Sequence, residues 1–255
     1  MLSRISSIAK LVLHEAVHKK ILMSIFLFGL IAIGFSTYFT YLTPNEEIKI
    51  IKDIGLGAIT FFGMLVAIFG AATLIPSEIE RRTAPLLLAS PIRRSEVVLG
   101  KFLGAVMVIA TNLIFMSALF FILLISKEQI FDTELLKAIL IIFMKNCLLA
   151  SVAIFFSTFL SSNLNVAASF SIYIIGHFLS FLSHIGEHAK SKVLEYIFVV
   201  LEALFPNFEN FDIQNSIVLG TQVTWIYISK VLLYGLLYSA VMLMGAILIF
   251  NRREV

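Results

Sequence analysis

The sequence predicts an all-α integral membrane protein, a single domain over residues 1–255 with six transmembrane helices. Three observations carry this. Hydrophobic residues make up 60% of the chain and charged residues only 14%, where a soluble globular domain has about a quarter of its residues charged. Six apolar segments reach the roughly 20 residues a helix needs to cross the hydrocarbon core. The charges, finally, collect in short breaks between those segments, where they can reach water. The single cysteine, Cys147, excludes an intramolecular disulfide and any multi-cysteine metal site.

Residues 1–20 form the first element. Leu2, Ile5, Ile8, Ala9, Val12 and Ala16 recur at three- and four-residue spacing, with Ser3, Arg4, Ser6, Ser7, Lys10 and His14 opposite. That pattern predicts an amphipathic helix lying on the inner leaflet, available also to a cytoplasmic partner. His18-Lys19-Lys20 joins it to a first span at 21–42, which has full spanning length and no clear cleavage site, and so reads as a retained anchor. The second span covers 54–75.

The break at 76–96 concentrates Glu78, Glu80, Arg81, Arg82, Arg93, Arg94 and Glu96. Pro76 ends or bends the second span, Pro91 ends a short helix over 83–90, and Pro85 fits its first turn. Leu86, Leu87, Leu88 and Ile92 then make an apolar ridge flanked by arginines. A plain linker needs no such ridge, which points to a docking surface.

The third span, 97–125, opens on Gly100-x-x-x-Gly104-Ala105, a spacing that lets helices approach closely. The fourth, 140–160, contains Lys145 and Asn146. The economical reading lays 134–144 flat on the outer interface and lets the Lys145 ammonium snorkel outward; the other places that charge inside the bundle, facing cargo. The fifth span is 166–185. Residues 186–225 then lie outside the membrane and include 193–205, an apolar run of roughly 13 residues that suits an interfacial or re-entrant helix rather than a crossing. The sixth span is 226–250. Asn112, Ser151, Ser157, Thr158, Asn163 and Asn165 could line a polar path, although interhelical hydrogen bonding is the expected role for most of them.

Basic residues set the orientation. With six spans, both termini share a side with the 76–96 break. That side holds all seven arginines (Arg4, Arg81, Arg82, Arg93, Arg94, Arg252 and Arg253), together with Lys10, Lys19, Lys20 and Lys101; the other side has eleven of the sixteen acids. Both termini are therefore expected in the cytoplasm, in a multi-pass protein of the cell inner (plasma) membrane.

Glu78-Ile79-Glu80-Arg81-Arg82-Thr83, Leu88-Ala89-Ser90-Pro91-Ile92-Arg93-Arg94-Ser95-Glu96 and Leu99-Gly100-Lys101-Phe102-Leu103-Gly104 together resemble the cytoplasmic signature of type-2 ABC exporter permeases. Ile175-Gly176-His177, Leu204-Phe205-Pro206-Asn207-Phe208-Glu209-Asn210-Phe211 and Phe250-Asn251-Arg252-Arg253 are similar to features of the NosY-like subgroup. The resemblance covers essentially the whole chain. It implies a six-span half-transporter that works as a homodimer in the lipid bilayer, with no cofactor of its own and no nucleic-acid partner. ATP and Mg would be bound by a separate ABC ATPase subunit. The residues implied to dock that subunit, through a coupling helix in the 76–96 break, are Arg81, Arg82, Thr83, Leu87, Leu88, Pro91, Arg93, Arg94 and Glu96. Charge reversal at Arg93 and Arg94 is expected to uncouple ATPase activity from transport and leave the membrane fold intact.

The residues agree that ATP is handled elsewhere. No Gly-x-x-x-x-Gly-Lys-Ser/Thr loop occurs; Gly100-Lys101 is followed by Phe102. No nucleophile–base pair or carboxylate dyad stands out, so a transport subunit rather than an enzyme is expected. Two histidine patterns offer other chemistry. His14-Glu15-x-x-His18 has the spacing of a zinc protease, yet it sits at the cytoplasmic edge of the first span, and a catalytic zinc needs a third protein ligand. An interfacial basic collar with Lys19 and Lys20 is the expected role. His177, His184 and His188 would share one helical face if the fifth span continues outward, and could bind copper or zinc at the outer mouth. A membrane zinc protease and a non-transporting scaffold are the competing functions.

Overall fold

The fold is given by a computed structural model that describes residues 2–39, 47–76, 93–128, 133–179, 201 and 205–252. Every regular element among them is a helix: α1 (Leu2–His18), α2 (Lys20–Phe39), α3 (Glu47–Ala72), α4 (Arg94–Glu128), α5 (Thr133–Ser157), α6 (Ser162–His177), a 3-10 turn (Glu209–Phe211), α7 (Gln214–Val218) and α8 (Trp225–Arg252).

Five of these helices are long and apolar enough to cross a membrane: Lys20–Tyr38, Glu47–Ala72, Arg94–Lys127, Thr133–Ser157 and Trp225–Arg252. The sequence predicted six. The expected fifth span is described only as α6, which at 1.5 Å per residue is about 24 Å long; residues 180–200, with most of the apolar run at 193–205, lie outside the described residues. α3 and α5 form the centre, with 61% and 72% of their apolar windows buried, whereas α2 and α8 are rim helices at 22% each. The rim and the outer faces of α3 and α4 present Phe28, Phe35, Phe61, Phe115, Leu236 and Val241 outward, which is the surface hydrocarbon solvates and water does not.

α5 corrects the economical reading of the fourth span. It runs as one helix from Thr133, so residues 134–144 belong to it and do not lie flat beside it. Lys145 is 2% exposed, in its middle, and does not snorkel. Lys137, one turn in from the start of α5, is held by polar and ring partners: its ammonium reaches Glu134 at 2.5 Å, the Val223 carbonyl at 2.9 Å and the Trp225 ring centroid at 5.1 Å.

The apolar stripe of α1 is as the spacing predicts, with Ile5, Ala9, Val12 and Ala16 all buried. What covers it differs. α1 seats that stripe on α4 rather than on lipid. A Cβ added to Gly100 would stand 2.8 Å from the Ile8 Cβ, and one on Gly104 would stand 2.5 Å from the Val12 Cβ; only a glycine stripe allows helices this close. Asn165 also meets its expected role: its amide donates to the Ala72 and Ala153 carbonyls at 3.0 and 2.9 Å, and accepts from Ser169 at 3.0 Å, tying α6 to α3 and α5. Ser151, Ser157 and Thr158 turn their hydroxyls back on carbonyls of their own helix turn. Cys147 is free and buried.

Candidate functional site

Four helix ends meet at the end of the bundle that holds α1. α3 runs out there, and the Lys101 ammonium, 2% exposed, donates to the Leu74 carbonyl in the turn that follows. α4 begins there: the Arg93 backbone N–H donates to Glu96 Oε2 at 3.1 Å, the side-chain half of a capping box. Glu96 is itself 3% exposed and faces Arg4 of α1 at 3.8 Å. α8 ends there, where Arg94 Nη1 donates to the Phe250 and Asn251 carbonyls at 2.7 and 3.2 Å. Those carbonyls are the unsatisfied, negative end of a long helix, and a cation is favoured on them. Lys19, between α1 and α2, donates to Thr73 Oγ1 at 3.1 Å. Thr73 and Leu74 on one side of the segment 77–92, and Arg93 and Arg94 on the other, are thus fastened into one junction.

Arg81, Arg82, Thr83, Leu87, Leu88 and Pro91 fall in that segment and lie outside the described residues. Arg93 is exposed at the junction. Arg94 and Glu96 turn inward, one as the cap of α8 and the other as the cap of α4. Reversing the charge of Arg94 would also remove its contact with the end of α8.

The HExxH residues are exposed on α1. The His14 and His18 ring centroids are 4.7 Å apart, His18 Nδ1 donates to the His14 carbonyl at 2.8 Å, and Glu15 pairs with Lys19 at 3.6 Å. Among the described residues no group of three His, Cys, Asp or Glu side chains is placed to hold a metal ion.

At the opposite end, residues 205–218 fold across the ends of α3, α6 and α8. The Phe208 N–H donates to the Gly176 carbonyl at 2.9 Å. A Cβ on Gly176 would strike the Pro206 carbonyl oxygen and come within 2.7 Å of the Phe208 ring, so glycine is what admits this segment. Asn207 N–H donates to Tyr234 Oη at 2.9 Å, and Tyr227 Oη donates to the Asn210 carbonyl at 2.9 Å. Gln214 reaches α3 through its side-chain amide, which donates to the Asp53 carbonyl at 3.0 Å and to its carboxylate at 2.8 Å.

Between this segment and α3, α5 and α6 lies a cavity of about 180 Å³, with Thr60, Lys145, Tyr173, His177 and Asp212 among its lining residues. His177 Nε2 is 3.8 Å from Asp212 Oδ2, and its ring stacks on Tyr173 at 5.9 Å. His184 and His188, the partners expected for His177 in a metal site, lie outside the described residues. Asp212, Tyr173 and Gln214 were not singled out from the sequence. The available signal was that two short motifs, 175–177 and 204–211, fall at the same end of the bundle; they turn out to be bonded to each other.

The chain matches the sequence profile of the family described as ABC-2 family transporter protein, over residues 6–255. No curated protein matches it.

Proposed function

Because the chain belongs to the ABC-2 transporter family, and with it to the multi-pass membrane subunits of ABC transporters, we propose that it is the permease of an ATP-driven exporter. Two copies, each of six spans with the fifth at 166–185, form the translocation path in the inner membrane. A separate ATPase docks on the face carrying α1 and the 76–96 break, which is the cytoplasmic face, with both termini on it. The resemblance of 175–177, 204–211 and 250–253 to NosY-like features is what supports membership in that subgroup.

One observation supports the coupling role above the others: the described residues on either side of 77–92 join α1, α3, α4 and α8 in one junction. A push delivered to that junction would reach four helices. Nucleotide-driven closure of the ATPases would then tilt these helices together and open the path at the far end, an alternating-access cycle.

The test is purification from the native membrane in a mild detergent. A Walker-type ATPase should come down with the chain at one-to-one stoichiometry, and Arg93→Glu should release it with the melting temperature of the membrane subunit unchanged. A chain that purifies alone and carries one tightly bound zinc would overturn the permease reading in favour of the HExxH motif.

A further inference from the structure

Lys145 is the charged side chain that α5 buries at mid-length, and among the described residues no carboxylate pairs with it directly. Its ammonium lies 5.3 Å from the Tyr173 ring centroid, and it makes no hydrogen bond or ion pair among the described residues. The carboxylate that shares its cavity, Asp212, is directed elsewhere: Oδ2 faces His177 at 3.8 Å, and Oδ1 accepts from the Gln214 backbone N–H at 3.3 Å. The Thr60 and Tyr173 hydroxyls, also on the cavity wall, have no partner among the described residues. A cation, two free hydroxyl donors and an apolar wall of Leu56, Ile142 and Phe211 therefore surround a space of about 180 Å³.

A buried ammonium on a membrane helix, with no direct ion pair among the described residues, is costly and marks a ligand or ion path by default. The group that would complete this one carries a single negative charge and accepts hydrogen bonds, since a second charge would be repelled by Asp212 on the same wall. We propose that the cavity binds a singly charged oxyanion, with Lys145 as its counter-charge and Thr60 and Tyr173 as hydrogen-bond donors. The oxyanion is either a small soluble anion or the phosphodiester of a lipid headgroup. Its standing as part of the exported cargo rests on the permease reading; the binding does not.

The experiment measures the melting temperature of the full-length chain, delipidated in maltoside micelles that carry no phosphate, at constant ionic strength. Dimethyl phosphate is titrated; separately, phosphatidylglycerol is added to the micelles. A rise with dimethyl phosphate assigns the site to a soluble anion, and a rise only with phosphatidylglycerol assigns it to a headgroup. Lys145→Met should give no rise with either, while Lys145→Arg keeps one. Lys145→Met is expected to melt at or above the wild type without ligand, because exchanging a buried charge for an apolar chain of similar volume is neutral or stabilising. Should that variant fail to fold, Tyr173→Phe serves instead, with an apparent affinity about tenfold weaker from the loss of one hydrogen bond to a charged group. A wild type that responds to neither anion, or a Lys145→Met or Tyr173→Phe chain that responds as the wild type does, overturns the site. Neither nucleotide nor an ATPase enters this readout, so a flat titration leaves the permease reading untouched.

Discussion

Asn165 and Asn146 show what a buried amide does when it has partners and when it has none. Asn165 is fully buried and bonded to α3, α5 and its own helix. Asn165→Leu should lower stability by about 1–2 kcal/mol, the upper range for an interhelical hydrogen bond in a membrane, read as a drop in melting temperature in detergent. Asn146 is 1% exposed, and neither its amide nitrogen nor its carbonyl oxygen has a partner among the described residues. An orphaned amide of that kind costs about 1–3 kcal/mol. Asn146→Leu should therefore leave the melting temperature unchanged or raise it; a clear drop would mean that Asn146 is bonded in the working protein. The sequence does not tell which asparagine is bonded, because the carbonyls that Asn165 reaches belong to α3 and α5 and are brought to it only by the fold.

At the scale of elements, α1 and α4 depend on each other. Gly104→Val should cost about 1–3 kcal/mol through overpacking against Val12 and should loosen α1, measured as faster proteolysis near Arg4 and Lys10. If proteolysis is unchanged, α1 does not need this seat. The two neighbouring arginines should behave differently. Arg94→Ala removes the cap of α8 and should lower stability by about 1 kcal/mol, while Arg93→Glu should stay within about 0.5 kcal/mol, as exposed substitutions do, and act only on ATPase docking. Comparing the two melting curves separates the roles. Periodicity made the buried stripe of α1 legible, since spacing reports which side of a helix is apolar. It is silent on what covers that side, so a lipid surface was expected where α4 stands. Capping was hidden for the same reason: Arg94 and Phe250 are neighbours only once α4 and α8 lie side by side.

Across the whole molecule, hydropathy sufficed for the all-helical membrane class and for the positions of five long helices, because each signal is local and continuous. The loop-end cavity was not legible beyond His177 and Lys145: its walls come from α3, α5, α6 and residues 211–214, which no short-range pattern joins. If the bundle rocks, that end must open, and the Asp53–Gln214 contact at 2.8 Å spans the gap. In a Cys147→Ser background, Asp53→Cys with Gln214→Cys bridged by a short bis-maleimide should stop transport and leave ATPase binding in place. Continued transport by the bridged protein would show that the loop end does not move. The fit of Gly176 under Pro206 and Phe208 also carries a consequence for divergence. In a distant descendant of this chain, a side chain at 176 could be accepted only together with a shortened or reshaped 206–208. These two stretches, thirty positions apart, should therefore drift as one unit, and their joint variation across genomes would record the contact without any further structure.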